Sequence, residues 1–207
     1  MKLPHNLSRI EAFSDAVFAF AATLLVVSLG NDQNTSVLKI DWREFAGFGI
    51  SFFVLVALWS VHYNFFRRTN YMDNWIIGLN SVLLFVVLYY IFPLKSLLDT
   101  WFGGVGISLD SFSSLFQLYS LGFFLIFGCV SLMYLRAYRK TKSMEKGMLL
   151  LFYARHFGIY VFVALLSIVV AKLQLGLVFA LPGLIYALLG PLCYWHGVRF
   201  NKVFNLE

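Results

Sequence analysis

Six apolar runs, each long enough to cross a lipid bilayer, fill nearly all of this 207-residue chain. They are Ser8 to Gly30, Phe45 to Phe66, Asn74 to Leu94, Ser111 to Leu135, Gly147 to Ala171 and Gly176 to Val198. A hydrocarbon core of ~30 Å needs about 20 residues at ~1.5 Å rise each, so every run qualifies. Lipid offers backbone groups no hydrogen-bond partner, which leaves helices or closed barrels, and runs of this length without strict alternation favour helices. The composition agrees: 60% of residues are hydrophobic and 13% charged, with a mean hydropathy of +0.79, far from the balance of soluble domains. Only short polar connections separate the runs. The expected architecture is therefore a single six-helix transmembrane domain over residues 1–207, all-α and without a soluble domain.

Orientation follows from the basic residues. Lys2, Arg9, Arg67, Arg68, Arg136, Arg139, Lys140, Lys142, Lys146, Arg155, Arg199 and Lys202 fall on one side of the six spans, and Lys39, Arg43, Lys95 and Lys172 on the other. The acidic residues divide evenly, so the asymmetry is carried by Lys and Arg alone. By the positive-inside rule this predicts a multi-pass protein with both termini cytoplasmic. The net charge of +6 then needs no nucleic-acid partner. The cluster RAYRKTKSMEK after the fourth span reads as a cytoplasmic loop beside anionic lipid. Glu11, Asp15 and the length of the first run argue against a cleaved signal peptide.

The first span opens with three charged residues, in RIEAFSDAVFAFAATLLVVSLG. Ser8 followed by Glu11 is a capping-box pattern, which gives Glu11 a structural role. Asp15 lies about 10 Å further along the helix, where an intramembrane acid needs a donor from another helix. A helical wheel puts Asp15, Ala19, Ala22 and Val26 on one face and Phe13, Phe20, Leu24 and Val27 nearly opposite. Small residues let membrane helices approach closely, so the Asp15 face is the expected packing face. Spacing alone assigns the Phe20 face to lipid.

The stretch from Arg9 to Asp15 also resembles the RxxxFSD signature that opens the first helix of the transmembrane protein 175 family, with Phe13, Ser14 and Asp15 as its FSD. Trp59 and His62 in LWSVHYNFF are similar to the family's W-x-x-H, and Asn80 and Pro93 to positions of its third helix. Spans four to six resemble it by helix count and polarity only. The resemblance implies a potassium-selective cation channel with no cofactor, in which six-helix units surround a central pore lined by the first helices. With one FSD motif per chain, it implies a homotetramer in the bacterial inner membrane. It carries a hydrophobic constriction to Phe20, with Leu24 and Val27 above it and Thr23 offering a hydroxyl. The family places Ile or Leu where this chain has Phe20, so either the gate has a different shape or the register shifts by one. No TVGYG-like filter is present.

The same residues admit other readings. Arg9, Phe13, Ser14, Asp15, Trp59 and His62 read as an anchoring network, with His62 and Trp59 the partners of Asp15 and Ser14. A small proton-coupled secondary transporter would instead use Asp15 and His62 as titrating groups, although no pair of Gly/Pro-broken helices is visible in the sequence. Arg155 and His156 are expected to reach toward the interface with their polar tips. His5 and His196 are too scattered for a metal site, Cys129 and Cys193 read as core hydrophobes, and Gly103 to Gly106 as an external turn. No Ser-His-Asp, HExxH or phosphate-loop pattern supports enzyme chemistry. The expected partners are potassium ions, membrane lipid and further copies of the chain.

Overall fold

The structure is a computed structural model that describes residues 7–28, 42–103 and 108–204. Lys2, His5, Lys39 and the turn residues Gly104 to Gly106 lie outside the described residues. The chain forms α1 (Leu7–Val27), α2 (Trp42–Thr69), α3 (Asn74–Gly103), α4 (Leu109–Lys140) and α5 (Met144–Lys172), then a segmented stretch. Among the described residues five helices are long and apolar enough to cross a membrane. Among the described residues there is no strand. Helix α1 is described from Leu7, and Ser8 and Glu11 both lie in its opening turns.

The helices run past the apolar spans because their ends are capped and paired in polar surroundings. Asp73 accepts from the Ile76 backbone N–H at 3.0 Å and starts α3; Ser108 accepts from the Ser111 N–H at 3.2 Å and starts α4. Helix α3 continues through Pro93 and past Leu94, where the span was expected to end, and its extension carries a Lys95–Asp99 ion pair of 2.7 Å at i, i+4 spacing.

The basic end of the bundle is clamped rather than loose. Arg136 of α4 reaches Asp73 at 2.8 Å through Nε and 2.7 Å through a terminal guanidinium nitrogen. Tyr71 donates to the same carboxylate at 3.1 Å. Lys146 of α5 donates to the Thr69 carbonyl at 3.0 Å, and the Arg68 guanidinium stands 4.0 Å from the Tyr153 ring centre. Part of the basic cluster expected in a plain loop therefore joins the α2–α3 connection to α4 and α5.

Inside the bilayer span, α4 and α5 are joined by hydroxyls. Ser131 donates to the Ala154 carbonyl at 2.8 Å, and Ser113 to the Ala171 carbonyl at 2.6 Å. Ser167 donates to the Pro182 carbonyl at 2.9 Å, which leaves Ser120 as the donor in the 2.8 Å Ser120–Ser167 bond. Helices α3 and α4 approach so closely at Gly122 that a Cβ there would lie 2.5 Å from Cδ2 of the buried Tyr90.

The sixth span corrects the expectation of one continuous helix from Gly176 to Val198. It is built from a 3-10 turn (Leu177–Phe179), a short α6 (Leu181–Leu184), a second 3-10 turn (Ile185–Leu188) and α7 (Leu189–Phe204). Gly176 and Ala180 both take left-handed backbone, at φ 60° and 50°, and Pro182 supplies no N–H, so the helical ladder cannot run through. The Ser167 hydroxyl compensates by satisfying the Pro182 carbonyl, the condition on which irregular backbone survives at membrane depth.

Candidate functional site

Helix α1 lies against α2 and α3. Its inner stripe is Ser14, Phe18, Ala21 and Leu25, each at most 5% exposed. This corrects the wheel: the buried face is turned by about one residue, roughly 100°, from the expected Asp15–Ala19–Ala22–Val26 face. Phe18 explains the turn, because its ring packs 5.5 Å from His62, which packs on its other side against Phe66 at 5.0 Å. Val26 is exposed instead. The alanines line an open cleft of about 220 Å³ between α1 and α2, together with Asp15, Leu55 and Trp59.

Polar groups meet behind that stripe in a relay across three helices. His62 of α2 pairs through Nε2 with Asn80 Oδ1 of α3 at 2.7 Å, and Asn80 Nδ2 donates to Ser14 Oγ of α1 at 3.1 Å. Ser14 in turn donates to the Ile10 carbonyl at 2.8 Å. Because the Asn80 amide donates to Ser14, its oxygen faces His62, and the imidazole proton sits on Nε2. Ser14, His62 and Asn80 are all buried, so each bond removes a burial penalty.

The Asp15 carboxylate stands outside this relay. It is exposed on the subunit and accepts a 2.8 Å bond from the indole N–H of Trp59. The expectation that His62 and Trp59 jointly hold Asp15 and Ser14 is thus half right: Trp59 holds Asp15, while His62 reaches Ser14 through Asn80. Glu11, Asp15 and His62 do border one cleft of about 130 Å³ with Tyr63 and Phe66. Arg9 and Phe13 lie exposed at the head of the helix. Asn80 was legible as a lone amide in an apolar run, which demands a partner in lipid, but its partner was not.

The face of α1 turned away from its own subunit carries Phe20, 57% exposed, and Val27, 66% exposed. Thr23 lies between them, its hydroxyl donating to the Phe20 carbonyl at 2.7 Å, which leaves the oxygen lone pairs pointing off the helix. Leu24 sits on the shoulder and is half-buried. Elsewhere, His156 does not reach outward as expected. Its ring packs on Phe152 and Tyr160 and lies 5.8 Å from that of His196, so these two histidines are neighbours. Among the described residues no group of three metal-ligating side chains forms.

Comparison with known proteins gives the arrangement relatives. Residues 9–90 match the family model described as "Endosomal/lysosomal potassium channel TMEM175". A protein of Marivirga tractuosa named "Potassium channel" is 40% identical over 152 residues, covering 66% of this chain and 61% of that protein, less than two thirds of its length. A crystal structure of the potassium channel MtTMEM175, in complex with a nanobody fusion protein, covers 100% of this chain and 95% of its own, with a TM-score of 0.75 and 28% identity. A lysosomal potassium-selective channel TMEM175 homolog from Chamaesiphon minutus shares the fold, with a TM-score of 0.64 and 22% identity over 94% of this chain and 98% of that one. The resemblance carried by RxxxFSD and W-x-x-H is therefore borne out. The family model stops at residue 90, whereas the match to the MtTMEM175 structure runs along the whole chain.

Proposed function

With this kinship to the transmembrane protein 175 family as premise, we propose that the chain is a potassium-selective cation channel that conducts passively through a central pore with a hydrophobic constriction. The pore belongs to a homotetramer of single six-helix domains, residues 1–207, set in the bacterial inner membrane with both termini cytoplasmic. The observation that carries the reading is the uncovered face of α1. Phe20, Thr23 and Val27 form an apolar stripe with one hydroxyl, nearly opposite the side that α2 and α3 bury.

Four such stripes facing one axis would make a narrow apolar ring. A ring of that kind closes by dewetting and opens by widening, after which a partly hydrated cation passes. Phe20 is the constriction, Leu24 and Val27 the layers above it, and the outward lone pairs of Thr23 replace part of the lost hydration. Potassium, more weakly hydrated than sodium, crosses at lower cost. Ser14, Asp15, Trp59 and His62, joined by Asn80, form the fixture that with Phe18 sets the rotation of α1, with Arg9 and Phe13 standing exposed at its head, and the reading assigns the chain no catalytic chemistry and no cofactor. A coupled transporter relying on Asp15 and His62 gains no support from relatives named as potassium channels.

Bilayer recordings under bi-ionic potassium and sodium conditions test this. Phe20→Ala is expected to raise conductance, and Thr23→Ala to move the reversal potential toward that of an unselective pore. Currents unchanged in both variants would remove these residues from the conduction path.

A further inference from the structure

A groove of about 590 Å³ runs between α5 and α7. It lies away from the surface discussed above, since α1 packs mainly on α2 and α3. Its two walls are matched stripes. On α5 it is lined by Arg155, Ile159 and Phe162, at i, i+4 and i+7; on α7 by Leu192, Trp195 and Arg199, at i, i+3 and i+7. Each wall spans seven residues, about 10 Å, from its arginine to its far apolar residue. Phe152 packs on both His196 and Phe200, and His156 on His196, so α7 runs antiparallel to α5 and both arginines lie toward the same end of the groove, with Leu192 and Phe162 toward the other.

Neither Arg155 nor Arg199 has a carboxylate partner among the described residues. Arg199 instead lies 5.3 Å over the Trp195 ring, which holds its planar fork near the mouth. Arg155 stands 17 residues from Lys172 at the other end of α5, about 25 Å along the axis. Arg155 lies 11 residues in from Met144, so its long stem reaches back toward the basic end of the bundle, where Arg199 stands five residues from the end of α7.

From this juxtaposition we infer that the α5–α7 groove is a binding site for an anionic phospholipid of the surrounding bilayer. The phosphodiester is held between Arg155 and Arg199, and an acyl chain lies along Ile159, Phe162 and Leu192. Guanidinium forks match phosphate oxygens bidentately. A free phosphate would leave the apolar length of the groove unfilled, whereas a zwitterionic lipid would bring its own cation against two arginines. The site depends on the chain spanning a bilayer and not on conduction, so it stands or falls separately from the proposed channel.

Native mass spectrometry of the purified full-length chain, titrated with dioleoyl phosphatidylglycerol, dioleoyl phosphatidylcholine or inorganic phosphate, tests the site. Phosphatidylglycerol is expected to bind in preference to phosphatidylcholine and to resist displacement by phosphate. Exchanging both arginines in Arg155→Gln/Arg199→Gln is expected to weaken phosphatidylglycerol binding about thirtyfold, roughly fivefold per cation, with phosphatidylcholine unaffected. Arg155→Lys/Arg199→Lys should retain most of the preference. Gly158→Phe tests the apolar part with both charges kept: a Cβ at Gly158 meets nothing within 4 Å, so the fold accommodates it while the ring fills the groove. It too is expected to weaken phosphatidylglycerol binding. Equal affinity for the two lipids, displacement by phosphate, or affinity unchanged in both Gly158→Phe and the double glutamine variant would overturn the site.

Discussion

Asn80 is the residue through which α1, α2 and α3 share one hydrogen-bonded chain, and its removal has a defined consequence. Asn80→Leu leaves the His62 N–H buried without its acceptor at 2.7 Å, which destabilises by about 1–3 kcal/mol. Trp59→Phe removes the bond to the exposed Asp15 and is expected to lower stability less, by about 1 kcal/mol or below. Thermal unfolding in detergent should order the two variants in that way; equal effects would contradict the distinction between relay and rim. At this scale the sequence was partly legible. Ser14, Asp15, Trp59 and His62 stood out because polar groups in an apolar run need partners. Their pairing did not, since it depends on which face α1 turns inward. In a helix that is apolar on every side the wheel has little contrast, and Asp15 pulled the expected face about 100° toward itself. The ring of Phe18, filling the space beside His62, decided the matter instead.

At the scale of elements, two junctions set the bundle. Burial pushes the Asp73 carboxyl upward, but the Ile76 N–H, Arg136 and the Tyr71 hydroxyl together outweigh it and hold the group below the usual carboxylate range. A depressed folded value means that Asp73 contributes stability above about pH 4, lost as pH falls through the lowered value. Asp73→Asn is therefore expected to be less stable than the parent at pH 7, with the difference shrinking below about pH 4. A difference independent of pH, followed by denaturation at each pH, would contradict this account. The second junction is Gly122, where α3 and α4 meet at Tyr90. Tyr90 is 2% exposed and cannot step aside, so Gly122→Ala should cost about 1–3 kcal/mol through overpacking, against a helix-propensity gain of roughly 1 kcal/mol. Helix existence and order were readable from the length of the apolar runs. Their true ends were not, because caps such as Asp73 and ion pairs such as Lys95–Asp99 extend helices beyond the lipid-soluble part. The break in the sixth span had a visible signal in Gly176, Pro182 and Gly183, but hydrophobic length overrode it.

For the molecule as a whole, everything rests on what covers the outer face of α1. The subunit buries Ser14, Phe18, Ala21 and Leu25 within itself and leaves Phe20 and Val27 uncovered, so a monomer in lipid and a pore-forming tetramer present the same stripe to different surroundings. The sequence could not choose between them, since apolar residues suit lipid and a dewetting pore alike; only the resemblance pointed to a pore. Light scattering of the purified chain is expected to give four copies, and Ala19→Trp, which fills the open cleft between α1 and α2, should reduce that assembly more than it reduces helix content. The central claim of passive potassium conduction is met most directly by flux from proteoliposomes holding the purified chain. The account predicts rapid, non-saturating potassium efflux down its gradient, slower sodium efflux under the same conditions, and a change in both with Phe20→Ala. Saturable flux that requires a proton gradient, or no potassium flux from well-folded tetramers, would contradict it.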